Sequence, residues 1–240
     1  AMGVGKLSLL SRPEDMPTKQ AAAAVGQCEL MYTYDKLFSE YNHTVAQILI
    51  TGEDIEHAER SRNFENTMLR LLELGAIPII NENDSVATDE IVIGDNDTLG
   101  AIVAKSISAD LLILLSDIDG LFTADPHKDK NAVLLSEVKE ITPEIEGMTG
   151  GAGSRLGTGG MTTKLNAAKI ATAAGIDMVI ANGKNPKLLY DIDETIGGAD
   201  TTLTSDSVFL SSDGTVYIFS RDYFTGGDSY VVAMTPTGEV

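Results

Sequence analysis

The feature that most constrains the fold is an unbroken apolar run, LLILL, at residues 111–115. A strand with one face in water alternates apolar and polar residues, so a continuous apolar run indicates burial on both faces. Such strands belong to parallel sheets that helices cover on both sides. Further strands are predicted at residues 45–50, 77–80 and 178–181, and helical stretches separate them. This alternation predicts a three-layer αβα sandwich around a mainly parallel central sheet.

The helical stretches carry their own start and stop signals. Pro17 suits the first turn of a helix predicted over residues 18–41. Gly75 suits the end of an amphipathic helix predicted over residues 57–74. The apolar face of that second helix carries Phe64, Met68, Leu71 and Leu72. Further helices are predicted over residues 97–108, 165–175 and 186–190, and a short strand over 133–138.

From about residue 197 the helical pattern gives way to a tail rich in Thr, Ser, Asp and Gly. Alternating runs at residues 215–219 and 230–234 predict a β-hairpin with its turn at 226–228. The predicted organisation is therefore an α/β domain over residues 1–196, followed by a short β-rich tail over 197–240.

Composition limits the classes of function. Hydrophobic residues make up 43% of the chain, which suffices for a sizeable core. The net charge of −19, from 36 acidic and 17 basic residues, argues against a basic nucleic-acid-binding face. The sequence shows no run of membrane-spanning length and no signal peptide, so a cytoplasmic protein is predicted. The single cysteine, Cys28, lies in an apolar helical stretch and is predicted to be a buried structural thiol.

A dense group of polar side chains follows the strand predicted at residues 77–80. Loops beyond the carboxyl ends of strands are where open α/β sheets build their sites. The group consists of Asn81, Glu82, Asn83, Asp84, Asp89, Glu90, Asp95, Asn96 and Asp97. Carboxylates and amides suit the binding of an ammonium group or of a metal-bound phosphate. A solvated acidic turn is the alternative for any single member, whereas the whole group favours a site.

A glycine-dense stretch at residues 150–164 leads into the helix predicted at 165–175. Glycines let the backbone approach phosphate oxygens, and a helix N-terminus favours negative charge. Gly157, Gly159, Gly160 and Lys164 have this form. The stretch is neither a Walker A loop, because Leu165 follows Lys164, nor a dinucleotide fingerprint. By itself it could be a mobile connection, but together with the acidic group it predicts phosphoryl transfer.

Several long motifs point to one family. They are GSRLGTGGMTTKLNAAKIATAAGIDMVIANG, INENDSVAT, GDNDTLGAIVA, LLSDIDGLFTADP and PTKQAAAAVGQ. Over about residues 1–193 the chain resembles the glutamate 5-kinases of the amino acid kinase superfamily. The resemblance implies the amino acid kinase fold, with ATP and Mg²⁺ as cofactors and L-glutamate as substrate. It also implies that the side-chain carboxylate of glutamate receives the γ-phosphoryl group, the first step of proline biosynthesis.

The resemblance also implies roles for individual residues. Asp84 and Asn96 would hold glutamate, with Asp84 facing its ammonium group. Asn81 and Asp95 would support the substrate loop. Asp97 would orient the catalytic lysines, and Lys164 would be a cation of the transition state. The nucleotide would contact Ser116, Asp117, Gly157, Thr158, Gly159, Gly160, Met161, Thr162 and Lys164.

The chemistry implied by the resemblance needs no general base, because a carboxylate nucleophile is already ionised at neutral pH. The position of the three histidines agrees with this, because all of them lie outside the motifs: His43, His57 and His127. Catalysis would depend on alignment and on neutralising the moving phosphoryl group. Phosphates and water would hold most of the Mg²⁺ coordination, so no protein ligand is predicted for the metal.

The family pattern also contains a first strand with a Lys-Gly-Ser turn and a Ser-Ser-Gly turn, neither of which matches a segment here. These parts would supply a second lysine and a substrate-binding serine, so an impaired catalyst is one expectation. The sequence is also compatible with a non-catalytic module that binds an amino acid or nucleotide, and with a chain that folds poorly. A superfamily member acting on acetylglutamate, aspartate, carbamate or a nucleotide is disfavoured by the NEND and GDND motifs. Family members commonly form homo-oligomers, and a homo-oligomer is expected for this chain too.

Overall fold

The computed structural model describes residues 2–88, 93–124, 126, 129–148 and 159–184, and the backbone of three later strands. The helices are α1 (Met2–Lys6), α2 (Met16–Ser39), α3 (Gly52–Glu56), α4 (Ala58–Glu73), α5 (Asn96–Ser106), α6 (Pro143–Met148) and α7 (Gly159–Ala173). The strands are β1 (Thr44–Ile50), β2 (Ala76–Glu82), β3 (Leu111–Ser116), β4 (Asp177–Asn182), β5 (Val208–Leu210), β6 (Val216–Arg221) and β7 (Ser229–Met234).

The strands of the α/β part pair in parallel, as the sequence predicts. β1 runs beside β2 with Thr44 opposite Ala76, and β3 runs beside β4 with Leu111 opposite Asp177. The predicted antiparallel pairing in the tail is present between β6 and β7, and β5 extends it. β7 also pairs in parallel with β3, so the tail strands continue the β3–β4 sheet. The predicted turn at 226–228 lies outside the described residues, and the division at residue 197 stays a prediction.

Helices cover both faces of the β1–β2 pair, which gives the predicted three layers. Ile77 and Ile79 of β2 face α2, where they contact Met31, Tyr34 and Phe38. Alternate strand residues point to opposite faces of a sheet, so Ile80 joins the core on the other side. That core contains Phe64, Met68 and Leu72 from α4, Leu99 and Val103 from α5, and Ala167 and Ala171 from α7.

Every residue of β3 is buried, in agreement with the apolar run that predicts it. Leu112 and Leu114 pack in the core shared with α5 and α7. Leu111, Ile113 and Leu115 alternate with them and are buried too. β3 is therefore enclosed on both faces.

Two of the predicted elements differ from the structure. The strand predicted at 133–138 is wrong, because only an isolated bridge joins Phe122 to Leu134 and no strand covers the exposed Val133 and Val138. α7 begins six residues before the helix predicted at 165–175, so Gly159, Gly160 and Lys164 contribute to its first turns. The helix predicted at 186–190 lies outside the described residues.

The prediction for Cys28 is also wrong, because this residue is exposed. The buried residues of α2 are Ala22 and Leu30. At 3.6 residues per turn, Cys28 lies about 240° around the helix from Ala22. An apolar stretch in a helix with only one buried face therefore places some small residues on the solvent side.

A close crossing of α1 and α2 makes one stability prediction. A Cβ added at Gly3 would lie 1.7 Å from the carbonyl oxygen of Ala22, whereas one added at Gly5 would meet nothing within 4 Å. Gly3→Ala should destabilise the protein by about 1–3 kcal/mol because α1 must move away from α2. The control Gly5→Ala should be neutral or stabilising by up to about 1 kcal/mol, since alanine favours helix. Urea unfolding measures both, and equal effects would contradict the close crossing.

Candidate active site

The connections of the fold bring several loop ends to one edge of the sheet. Residues 107–110 lead directly from α5 into β3, so α5 runs back along the sheet and begins near the carboxyl end of β3. The same applies to α7 and β4, which residues 174–176 connect. The N-termini of α5 and α7 therefore lie at the edge where β3 and β4 end, the usual position of a site in an open α/β sheet.

At this edge the acidic stretch and the glycine-rich stretch meet in a buried ion pair. The Nζ atom of Lys164 lies 3.1 Å from Oδ2 of Asp97. The two side chains are only 6% and 7% exposed, respectively. The hydroxyl group of Thr163 lies 2.6 Å from the same oxygen. Within the described part of the chain, the other carboxylate oxygen, Oδ1, is buried without a hydrogen-bond partner.

A capping residue fixes the position of Asp97. Asp95 has an extended backbone, with φ of −154°, and is the N-cap of α5. Its Oδ1 accepts a hydrogen bond of 2.8 Å from the backbone N–H of Thr98, and its Oδ2 accepts one of the same length from the Thr98 hydroxyl. This cap is the usual start signal of a helix. Asp97 consequently lies in the first turn, where the helix dipole stabilises a carboxylate.

The first turns of α7 present the lysine. Because the helix already begins at Gly159, Lys164 projects from a regular helix and reaches α5. Among the predicted nucleotide-binding residues, Met161 is half-buried, whereas Gly160 and Thr162 are exposed. Gly157 and Thr158 lie outside the described residues. The exposed start of α7 has the partial positive charge that favours a phosphate.

The predicted substrate residues lie where β2 ends. Asn81 is buried, and its Nδ2 donates a hydrogen bond of 3.0 Å to Oε1 of Gln27 on α2. One heptad earlier on α2, Gln20 donates to the carbonyl oxygen of Ala87 at 3.2 Å. Helix α2 therefore contacts both the end of β2 and the segment that follows it.

Asp84 lies at the surface of this segment. Partial burial of its carboxyl group raises its pKa, and the nearby negative charge of Glu82 raises it further. The positive charge of Arg12 acts in the opposite direction. Asp84 is therefore a surface carboxyl group whose pKa lies above its usual value.

The residues predicted to contact the nucleotide at the end of β3 are tied to β4. Ser116 is buried, and its hydroxyl donates a hydrogen bond of 3.1 Å to Asp117. The carbonyl oxygen of Ser116 accepts a hydrogen bond of 2.8 Å from the backbone N–H of Gly183. Asn182 donates to Asp119 at 2.8 Å. These contacts hold the two loop ends side by side.

The structure thus connects some site residues directly and leaves others separate. Direct contacts join Asp97 to Lys164 and Ser116 to Asp117. Thr163 and Gln27 are contacts that the sequence did not reveal. Thr163 precedes the predicted lysine, but periodicity gives no signal for Gln27, which lies 54 positions from Asn81. In the described ranges no three His, Cys, Asp or Glu side chains converge as a metal site.

The helices in the described part of the chain do not include one with the length and apolar character needed to cross a bilayer.

Comparison with known proteins gives a consistent family assignment. The model of the amino acid kinase family matches residues 6–182. A glutamate 5-kinase from Clostridium perfringens is 55% identical over 195 residues, which cover 80% of this chain and 72% of that protein. One from Clostridium acetobutylicum is 57% identical over 190 residues, covering 79% and 71% of the two chains. One from Listeria monocytogenes is 49% identical over 223 residues, covering 90% and 80%. The chain therefore belongs to the amino acid kinase family and groups there with the glutamate 5-kinases.

Proposed function

We propose that this protein transfers the γ-phosphoryl group of ATP to the side-chain carboxylate of L-glutamate, giving glutamyl 5-phosphate. The observation that carries the proposal is the buried contact between Asp97 and Lys164 at the edge where β3 and β4 end. It joins the acidic stretch, which suits an amino acid, to the glycine-rich helix start, which suits a phosphate. Similarity to glutamate 5-kinases supports the choice of glutamate as acceptor.

Lys164 neutralises charge on the transferred phosphoryl group in this proposal. Its ammonium group is a compact cation that Asp97 and the surrounding burial hold in place. A positioned cation in a site with little water contributes far more than one in bulk water. Asp97 orients the lysine, and the hydroxyl group of Thr163 donates a hydrogen bond to the same oxygen of the Asp97 carboxylate. The orphaned Oδ1 of Asp97 is where we place a second cationic group.

The acceptor residues occupy the end of β2 and the start of α5. Asp84 pairs with the ammonium group of glutamate, and Asn96 binds the same substrate. Asn81 and Asp95 maintain this arrangement, the first through Gln27 and the second by capping α5. Ser116 and Asp117 contact the nucleotide together with the start of α7. We also assign Gly157 and Thr158, which precede α7 in the sequence, to nucleotide binding.

Mg²⁺ fits this donor set as a companion of ATP. In proteins it keeps several waters and binds phosphates with at most one or two carboxylates. The buried, unpartnered Oδ1 of Asp97 is a position that suits such a cation or a second ammonium group. Bound Mg²⁺ would supply charge neutralisation between the phosphates.

Assembly into a homo-oligomer also remains a prediction.

A panel of acceptors tests the proposed function. The protein is incubated with MgATP, hydroxylamine as a trap for acyl phosphates, and glutamate, acetylglutamate, aspartate or carbamate. We expect the hydroxamate and ADP to form with glutamate at a rate that far exceeds the other rates. Preferential turnover of another acceptor, or tight glutamate binding without turnover, would contradict the proposal.

Asp84 gives a prediction for substrate affinity and its pH dependence. Asp84→Asn should raise the KM for glutamate about 10- to 100-fold, because a charge-assisted contact with the ammonium group is lost. Since the pKa of Asp84 is raised, wild-type affinity should fall as the pH drops through that raised pKa, earlier than for an ordinary Asp. The variant should lack this acid dependence.

The control for this experiment is Asp35→Asn, the same substitution at an exposed residue of α2. It should leave the KM for glutamate unchanged, and both variants should keep the KM for ATP. If Asp84→Asn lost affinity for both glutamate and ATP, this would contradict a specific role of Asp84 in binding the ammonium group of glutamate.

A further inference from the structure

Glu82, the last residue of β2, binds the backbone just before α5. Its Oε1 lies 2.5 Å from the backbone nitrogen of Ile93, and its Oε2 lies 3.2 Å from that of Gly94. Gly94 has φ of +95°, a conformation that side chains disfavour. Two successive N–H groups therefore donate to one carboxylate, immediately before the Asp95 cap.

From this contact we infer that Glu82 is a positioning residue for the amino acid acceptor, because Glu82 fixes the start of α5 against the end of β2. The inference rests on the proposed function, which assigns Asp84 and Asn96 to the same substrate. Asp84 follows Glu82 by two residues, and Asn96 follows Gly94 by two. Glu82 thus sets the distance between the two halves of the acceptor site.

A carboxylate is suited to this role because both of its oxygens accept hydrogen bonds. A glutamine at this position offers one oxygen and turns an NH₂ group toward the second N–H donor. An alanine offers neither acceptor and leaves the two backbone groups to water. The loss should therefore be graded, with Glu82→Ala more severe than Glu82→Gln.

Glu82 also acts on Asp84 through its charge. Its negative charge raises the pKa of Asp84, second to partial burial, while Arg12 opposes the effect. Removing the charge should lower that pKa in both variants, so acceptor binding should extend to lower pH. A purely structural loss of the loop would weaken binding without such a displacement of the pH profile.

The experiment compares Glu82→Ala, Glu82→Gln and, as a control, Glu65→Ala on the exposed side of α4. Steady-state kinetics over a pH range give kcat and both KM values, and hydrogen exchange gives the protection of the Ile93 and Gly94 amides. For Glu82→Ala we expect a KM for glutamate raised about tenfold or more, a kcat within about threefold, and an unchanged KM for ATP. Amide exchange should accelerate about tenfold or more, and Glu82→Gln should be intermediate.

Unchanged glutamate KM and unchanged exchange in Glu82→Ala would overturn the inference. Comparable losses of glutamate affinity, ATP affinity and kcat, with an unchanged pH dependence of acceptor binding at low pH, would overturn it in favour of a general structural role. Wild-type protein that transfers no phosphoryl group to glutamate would instead overturn the proposed function. The exchange rates would still report whether Glu82 holds residues 93 and 94.

Discussion

Replacing Lys164 with methionine should lower the kcat for phosphoryl transfer by about 10³-fold or more, while the affinity for glutamate stays within about threefold. Cations placed against a transferring phosphoryl group act mainly in the transition state, and their removal has effects of this size. Methionine keeps much of the buried volume of the side chain but has no charge. Calorimetry with glutamate and a rapid-quench measurement of the chemical step separate the two quantities.

Lys169→Met is the matched control, since this lysine lies on the same helix, is half-exposed and pairs with Glu146 at 2.7 Å. It should retain the wild-type rate. An equal loss of glutamate affinity and of rate in Lys164→Met would place Lys164 in the acceptor site rather than on the phosphoryl group.

Replacing Asp97 with asparagine should reduce kcat about 10²- to 10³-fold and should also destabilise the fold by about 3 kcal/mol. The rate falls because Lys164 loses the carboxylate that orients it at 3.1 Å. The stability falls because a buried ammonium group is left without its anion, a change that typically costs about 3–5 kcal/mol. Urea unfolding and steady-state kinetics measure the two effects.

The double variant Asp97→Asn/Lys164→Met separates stability from catalysis. Removing both charges should recover part of the lost stability, because neither group remains as an isolated buried charge. Activity should stay at the level of Lys164→Met, as expected for residues that act as one unit. Additive losses of stability would contradict a direct buried ion pair.

Much of this arrangement could be predicted from local sequence. The continuous apolar run predicts β3. A stretch rich in carboxylates directly after β2 predicts a site beyond the carboxyl end of that strand. The helix start near Asp97 is recognisable because Asp95 caps it through Thr98. An unbroken apolar run and a helix cap are patterns of neighbouring residues, so the sequence records them directly.

Contacts between distant residues could not be predicted in this way. The family resemblance implies that Asp97 orients Lys164, but their contact spans 67 positions and depends on how α5 and α7 pack. The role of Glu82 depends on a backbone turn at Gly94 that no periodicity reports. The exposure of Cys28 depends on which side of α2 faces the sheet. In each case tertiary packing decides, and the local pattern permits more than one outcome.

The most direct test of the proposed phosphoryl transfer is a crystal structure with glutamate, Mg²⁺ and a non-hydrolysable ATP analogue. We expect the acceptor carboxylate to lie about 3–3.5 Å from the γ-phosphorus, the separation of a reactive pair. Lys164 should then contact the γ-phosphate while Asp84 contacts the ammonium group of glutamate. Ligands bound in separate clefts, with Lys164 touching neither, would contradict the proposed transfer.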